Sequence, residues 1–173
     1  MTNEVENGED FRALLRGLVA RFDGLGAAAP EIDDLLLRWA GLLPEQAPEP
    51  GWPGLADQVL RAVDAPSAGV AEPAPLGEEP PVTSSGELRV LLLALASDYA
   101  RARDWTRDRS ARGLWAGDGS GWASGSAAQF LDSWESWLDA TLGRPARFPD
   151  VPPLEPVSWA SVAWQVGAAR VYE

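Results

Sequence analysis

Two stretches of this chain repeat one another's order of apolar residues, and that self-similarity constrains the fold more than any other feature. Residues 10–22 (DFRALLRGLVARF) align without a gap against 87–99 (ELRVLLLALASDY). Arg12 falls opposite Arg89, Leu14 opposite Leu91, Leu15 opposite Leu92, Leu18 opposite Leu95 and Phe22 opposite Tyr99. A second pair, 52–62 (WPGLADQVLRA) and 159–169 (WASVAWQVGAA), sets Trp52, Ala56, Gln58, Val59 and Ala62 against Trp159, Ala163, Gln165, Val166 and Ala169. Between these anchors Ile32, Leu36 and Trp39 stand opposite Phe130, Trp134 and Trp137. Each half therefore runs through a Leu-rich helix, a Trp-bearing helix, a Pro-rich connector and a Trp-led helix. Self-similarity in fixed order means one supersecondary unit used twice, each copy burying a face that the other needs. The expectation is an all-α fold of two pseudo-repeated three-helix units packed into one helical bundle. Residues 1–64 form the first, degenerate copy, 65–86 a Pro/Gly/Ala-rich linker, and 87–173 the second copy with a Gly/Trp loop inserted.

A chain of 173 residues is near the size of one domain, which favours two tightly packed halves over two independent ones. One copy of about 55 residues would bury only about 60% of its unfolded surface and be marginal alone. Fusion relieves that limit, and an apolar content of 46% with nine Trp supplies the core material.

Three- and four-residue spacing of Phe11, Leu14, Leu15, Leu18, Val19 and Phe22 predicts a helix from Glu9 to Phe22, stopped by Gly24 and Gly26. Pro30 suits the first turn of a second helix, with Glu31, Asp33 and Asp34 at its positive end and Pro44 closing it. Pro53 opens a third helix. The fourth is expected from Glu87 to Arg112, about 39 Å long at 1.5 Å per residue. Its stretch Val90–Ala96 is apolar almost all round, the pattern of a helix buried on most sides at the centre of an assembly. Ser126 or Ser124 is the expected cap of the fifth helix, and Ser158 that of the last, Trp159–Tyr172.

The absences exclude whole function classes. The chain has no His, no Cys and no Lys; all fourteen basic residues are Arg. Thiolate chemistry, disulfides, a Cys/His zinc site, an imidazole base, a lysine Schiff base and a P-loop are all ruled out. A GC-rich genome accounts for missing Lys more simply than functional selection. The net charge is −12, and residues 1–86 carry fifteen acids against five Arg. Such a field disfavours nucleic acid and anionic membrane and favours a basic protein partner. The stretch MTNEVENGED has no apolar core, so it does not read as a signal peptide, and no apolar run is long enough to span a bilayer. The expected setting is cytoplasmic, as a monomer or a subunit of a hetero-complex, with no cofactor and no metal.

Two stretches are candidates for binding. Residues 101–112 (RARDWTRDRSAR) hold five Arg against two Asp, and Arg101, Trp105 and Arg109 lie at four-residue steps. They read as a patch for phosphate or acidic ligands, with Trp105 stacking on a ring. The plainer reading is a helix surface of i,i+3 and i,i+4 charge pairs with Arg stacked on Trp105 internally, and that reading is favoured. The loop 113–125 (GLWAGDGSGWASG) carries Trp115, Asp118 and Trp122 and has no counterpart in the first copy. Loops of this length inside compact domains are functional or disordered. Trp suits protein recognition, while the alternative folds both rings over the core. Trp134, Trp137, Trp159 and Trp164 read as core rather than as a carbohydrate platform. Asp132, Glu135 and Asp139 share a helix, but carboxylates on a solvent face are ordinary.

The order of the second half resembles a small, uncharacterised bacterial helical domain family that closes on the same Trp-to-Tyr-Glu helix. Phe130, Leu131, Trp137, Trp159, Ala169, Tyr172 and Glu173 carry the resemblance over residues 87–173. The first copy lacks the terminal Tyr-Glu and looks like a degenerate relative. The resemblance implies a helical bacterial fold and no activity. Missing catalytic groups, an acidic first half and the Trp loop together point to a non-catalytic acidic protein-binding module, of the kind that neutralises a basic toxin as an immunity or antitoxin protein does. The alternatives are a small carboxylate-based enzyme and an accessory subunit of a larger assembly.

Overall fold

A computed structural model describes residues 5–67, 82–111, 122–142 and 151–171, with backbone only at 109 and 110. Among these residues the chain is all-helical. The elements are α1 (Gly8–Leu25) with a 3-10 turn (Gly26–Ala28), α2 (Ile32–Leu42), α3 (Gly51–Asp64), α4 (Ser85–Ala111), α5 (Ala127–Leu142) and α6 (Trp159–Val171).

The helix starts are set by side chains that satisfy orphan amides. Asn7 accepts from the N–H groups of Glu9 (2.9 Å) and Asp10 (3.0 Å), while the Asp10 carboxylate accepts from Glu6 N–H (3.1 Å). Seventy-seven positions on, Ser84 accepts from Glu87 N–H (3.2 Å), and the Glu87 carboxylate accepts from the N–H (2.6 Å) and hydroxyl (2.8 Å) of Thr83. These bonds hold the Glu87 carboxyl below its ordinary range. Ser126 caps α5 at Gln129 N–H (3.2 Å), and Ser158 caps α6 through a reciprocal pair with Ser161 (3.0 and 3.1 Å). α1 stops at Gly26, whose φ of 53° lies in the left-handed region that favours glycine.

The buried stripe of α1 is Phe11, Leu15, Leu18 and Phe22; that of α4 is Leu88, Leu92, Leu95 and Tyr99. The two stripes share one spacing. α4 is nonetheless not enclosed on all sides, because Val90 is 58% exposed. Its apolar excess serves an open surface as well as the core.

Helix packing crosses between the halves. α1 lies chiefly against α5 and α2 against α4, while α2–α3 and α5–α6 are neighbours along the chain. α1–α3 and α4–α6 touch lightly, as do α2 and α5. At the α2–α5 contact the indoles of Trp39 and Trp134 stack at 5.6 Å. Trp39 donates to Gln58 (3.3 Å) and Trp134 to Gln165 (3.1 Å). The indole whose partners parallel those of Trp39 is thus Trp134, one helical turn before the Trp137 set opposite it in sequence. Spacings of three and four residues recur every turn, so an apolar pattern alone leaves register open by one turn. Edge and tilted ring contacts extend from Trp52 through Phe11, Trp134, Phe130 and Trp122 to Tyr99.

The connectors are exchanged as well. Trp159 donates its N–H to Glu49 (2.5 Å) and its indole N–H to the Ala47 carbonyl (3.3 Å); Trp52 donates to Glu155 (3.1 Å). Across α1 and α5, Arg12 meets Glu135 (2.8 Å) and Asp139 (2.6 Å), and Arg16 also meets Glu135 (3.0 Å). Burial alone would lower the Arg12 pKa, but the hydrogen bond and charge of Glu135, with Glu9 and Asp139, hold it above its ordinary value.

Candidate functional site

Of the residues singled out in sequence, Arg101, Trp105 and Trp122 are described with their side chains. Trp115 and Asp118 lie outside the described residues, and of Arg109 only its place on α4 is described. Trp122 stands inside the core, 6% exposed, edge-on to Tyr99 at 5.2 Å. Its indole N–H goes to Asp98 (2.9 Å), and the Arg170 guanidinium lies over its ring at 5.4 Å. Asp98 also pairs with Arg170 (2.9 Å) and Arg101 (3.5 Å). Asp98 therefore ties the foot of the Gly/Trp loop to α4 and α6. Arg101 and Trp105 are on the outward part of α4, whereas Arg103 turns inward to Asp33 of α2 (3.1 Å).

A cleft of about 490 Å3, lined by charged and apolar residues together, opens where the start of α2 meets α4. Three acids line it against two arginines: Asp33 (3.1 Å) and Glu31 (4.0 Å) share Arg103, and Asp34 takes Arg38 and the Ser67 hydroxyl (2.8 Å). Arg38 Nε, Arg103 Nε and Ser97 Oγ, on residues that line the cleft, are enclosed and have no hydrogen-bond partner among the described residues. Beside it the Tyr99 hydroxyl donates to the Gly125 carbonyl (2.9 Å). Burial, with the charge of Glu31 and against that of Arg103, pushes the phenol up to about 12. On α5, Glu135 and Asp139 are held by Arg12. No group of three or more acids among the described residues is arranged to hold a metal.

The second concavity is of a different kind. A groove of about 710 Å3 runs between α6 and the start of α4, lined by Val82, Leu91, Pro152, Ala163, Trp164 and Gly167 among others. Trp164 is 46% exposed and Val171, at the groove's end, is more so. The expectation of a core role thus holds for Trp134, Trp137 and Trp159, which are buried, and fails for Trp164. The one cation lining the groove among the described residues, Arg170, is turned to Asp98 and the Trp122 ring. A sequence signal for this site existed. In the alignment of 159–169 with 52–62, Trp164 falls opposite Asp57, a surface position on α3 where Asp57 pairs with Arg61 (3.6 Å). Continuing that register sets Ala168 opposite Arg61 and Val171 opposite Asp64, which pairs with Arg21 (2.8 Å). One outward face is charged and the other apolar.

These features define an all-α bundle, six α-helices among the described residues, carrying an apolar groove on one side. No helix among the described residues is long and apolar enough to cross a membrane. Comparison with protein-family models, with curated proteins and with solved structures gives no match.

Proposed function

We propose that this chain is a non-catalytic, acidic protein-binding module of bacterial type that docks a basic protein partner, as an immunity or antitoxin protein does. The observation that carries this reading is the half-exposed Trp164 in an apolar groove, on a chain of net charge −12. Exposed Trp is enriched where binding energy concentrates, and contiguous apolar surface marks interaction sites. The field of the whole chain steers cationic partners toward it. The pairing of Asp33, Asp34, Glu135 and Asp139 with arginines supports binding over acid–base work. A cytoplasmic setting without nucleic acid or membrane belongs to the same reading.

The fold is read as two copies of one three-helix unit that exchange helices about an approximate twofold. Four observations support it: matching buried stripes on α1 and α4, matching caps at Asn7 and Ser84, paired Trp–Gln bonds, and helix contacts that repeat when α1, α2, α3 are swapped for α4, α5, α6. The resemblance of 87–173 to a bacterial helical family fits this duplication.

The test is native affinity purification of the intact chain from its source cells at low and high salt, with the retained protein identified and its stoichiometry measured. A stoichiometric basic protein, held at low salt and released at high salt, is expected. Recovery of the chain alone at both salts overturns the reading.

A further inference from the structure

We infer that the groove between α6 and the start of α4 receives an amphipathic helix of the partner, apolar face inward around Trp164 and cationic face outward; this rests on the protein-binding reading above. α6 has 13 residues and so offers a face about 20 Å long, enough for about three turns of a docked helix. Its groove side combines one large ring with small residues, Ala160, Ala163, Gly167 and Ala168. Small side chains let a second helix approach closely, and the ring fills the gap between its apolar residues. No strand edge exists among the described residues to template an extended peptide.

Gly167 supplies a second observation. It sits inside α6, where glycine weakens a helix relative to other residues, and a Cβ built there meets nothing within 4 Å. Nothing among its described neighbours requires a glycine at that position, whereas the corresponding α3 position holds Leu60, partly buried against the core. A close approach from outside is what the missing side chain permits.

Charge selects the occupant. The one cation lining the groove among the described residues is engaged by Asp98, and the Glu87 carboxylate stands beside Thr83 at the groove's edge. A second copy of this chain would bring another net charge of −12 against the first. A helix with Lys and Arg on its outer face meets attraction instead.

The experiment is calorimetric titration of the full chain with two synthetic helical peptides sharing one leucine face, one carrying Lys and the other Glu at the polar positions. The Lys peptide is expected to bind, and the Glu peptide at least tenfold more weakly. Gly167→Leu enters open space, so it should leave the thermal unfolding midpoint unchanged or raised while weakening the Lys peptide at least tenfold. Trp164→Glu should weaken it similarly. Gly17→Leu, the same change at an open position on α1, should leave binding unaltered. Equal binding by wild type and Gly167→Leu would mean adsorption elsewhere by charge alone and overturns the inference. So does a concentration-dependent dimer of the free chain that Gly167→Leu abolishes, since a second copy would then fill the groove. Failure of the peptide with a basic partner still retained from cells removes the helix-in-groove mode and leaves the binding module standing; failure of both removes both.

Discussion

The indoles of Trp39 and Trp134 stack with centroids 5.6 Å apart and planes 20° from parallel, each giving its N–H to a glutamine of the helix that follows. One ring comes from each half of the chain, so the centre of the core belongs to neither. Trp134 and Gln165 are buried, whereas Gln58 is half-buried. That difference should separate two chemically identical substitutions. Trp134→Phe leaves a buried glutamine oxygen without its donor and is expected to cost about 2 kcal/mol, and Trp39→Phe about half that, because water can reach Gln58. Trp134→Phe combined with Gln165→Leu should recover most of the loss. Urea unfolding midpoints read all three, and equal losses for the two single variants would contradict the burial argument.

Arg12 and Glu135 are enclosed, at 11% and 12% side-chain exposure, while Arg16 reaches the same carboxylate from a side chain 57% exposed. Glu135→Ala removes the enclosed carboxylate that Arg12 shares with Arg16 and leaves Arg12 the exposed Glu9 and Asp139, so it should cost about 1.5 kcal/mol. Arg16→Ala, on a solvent-screened pair, should cost less than about 0.5 kcal/mol. Chemical denaturation of the two variants side by side tests the ordering.

Alkaline stability should depend on Tyr99. The chain holds no His, Cys or Lys, so tyrosine is the side chain that titrates between the carboxylates and arginine. Burial raises the Tyr99 phenol in the fold from the ordinary 10.0 to about 12. Over that window the unfolded chain binds fewer protons than the folded one, so stability falls as pH rises from about 10 to about 12. Tyr99→Phe should flatten this fall while costing about 1 kcal/mol at neutral pH for the lost bond to Gly125. Phenolate absorbance in a Tyr172→Phe background, which leaves Tyr99 as the single phenol, locates its titration directly.

The caps at Asn7 and Ser84 do the same task at two helix starts. Asn7→Ala and Ser84→Ala should each cost about 1 kcal/mol. With no shared partner between them, the double variant should show the sum to within about 0.5 kcal/mol. A markedly smaller combined loss in thermal melts would mean the helix starts are coupled.

Neither half should fold alone. The main neighbour of α1 is α5 and that of α2 is α4, so a fragment ending at Ser67 loses the partners of both helices. Circular dichroism of residues 1–67 and 82–173 separately should show little stable helix, and mixing them should restore a cooperative melt. A cooperative melt from either fragment alone would make the halves independent domains.

Helix identity, the stripe residues and the caps at Ser126 and Ser158 were legible in the sequence because they are local, whereas the caps at Asn7 and Ser84 were not read from it. Spacing, Asn or Ser before an apolar run, and glycine after it act within a turn or two, as the start of α4 and both ends of α1 show. Tertiary packing decided three things that spacing could not carry. It chose Trp134 over Trp137 as the mate of Trp39, since apolar spacing is degenerate by one turn until a partner ring is in place. It drew Trp122 into the core through Asp98 and Arg170, residues distant in the chain, and left Trp164 outside while burying the Gln165 beside it. A side chain's exposure depends on what the rest of the fold brings to its face of the helix, and no local pattern specifies that.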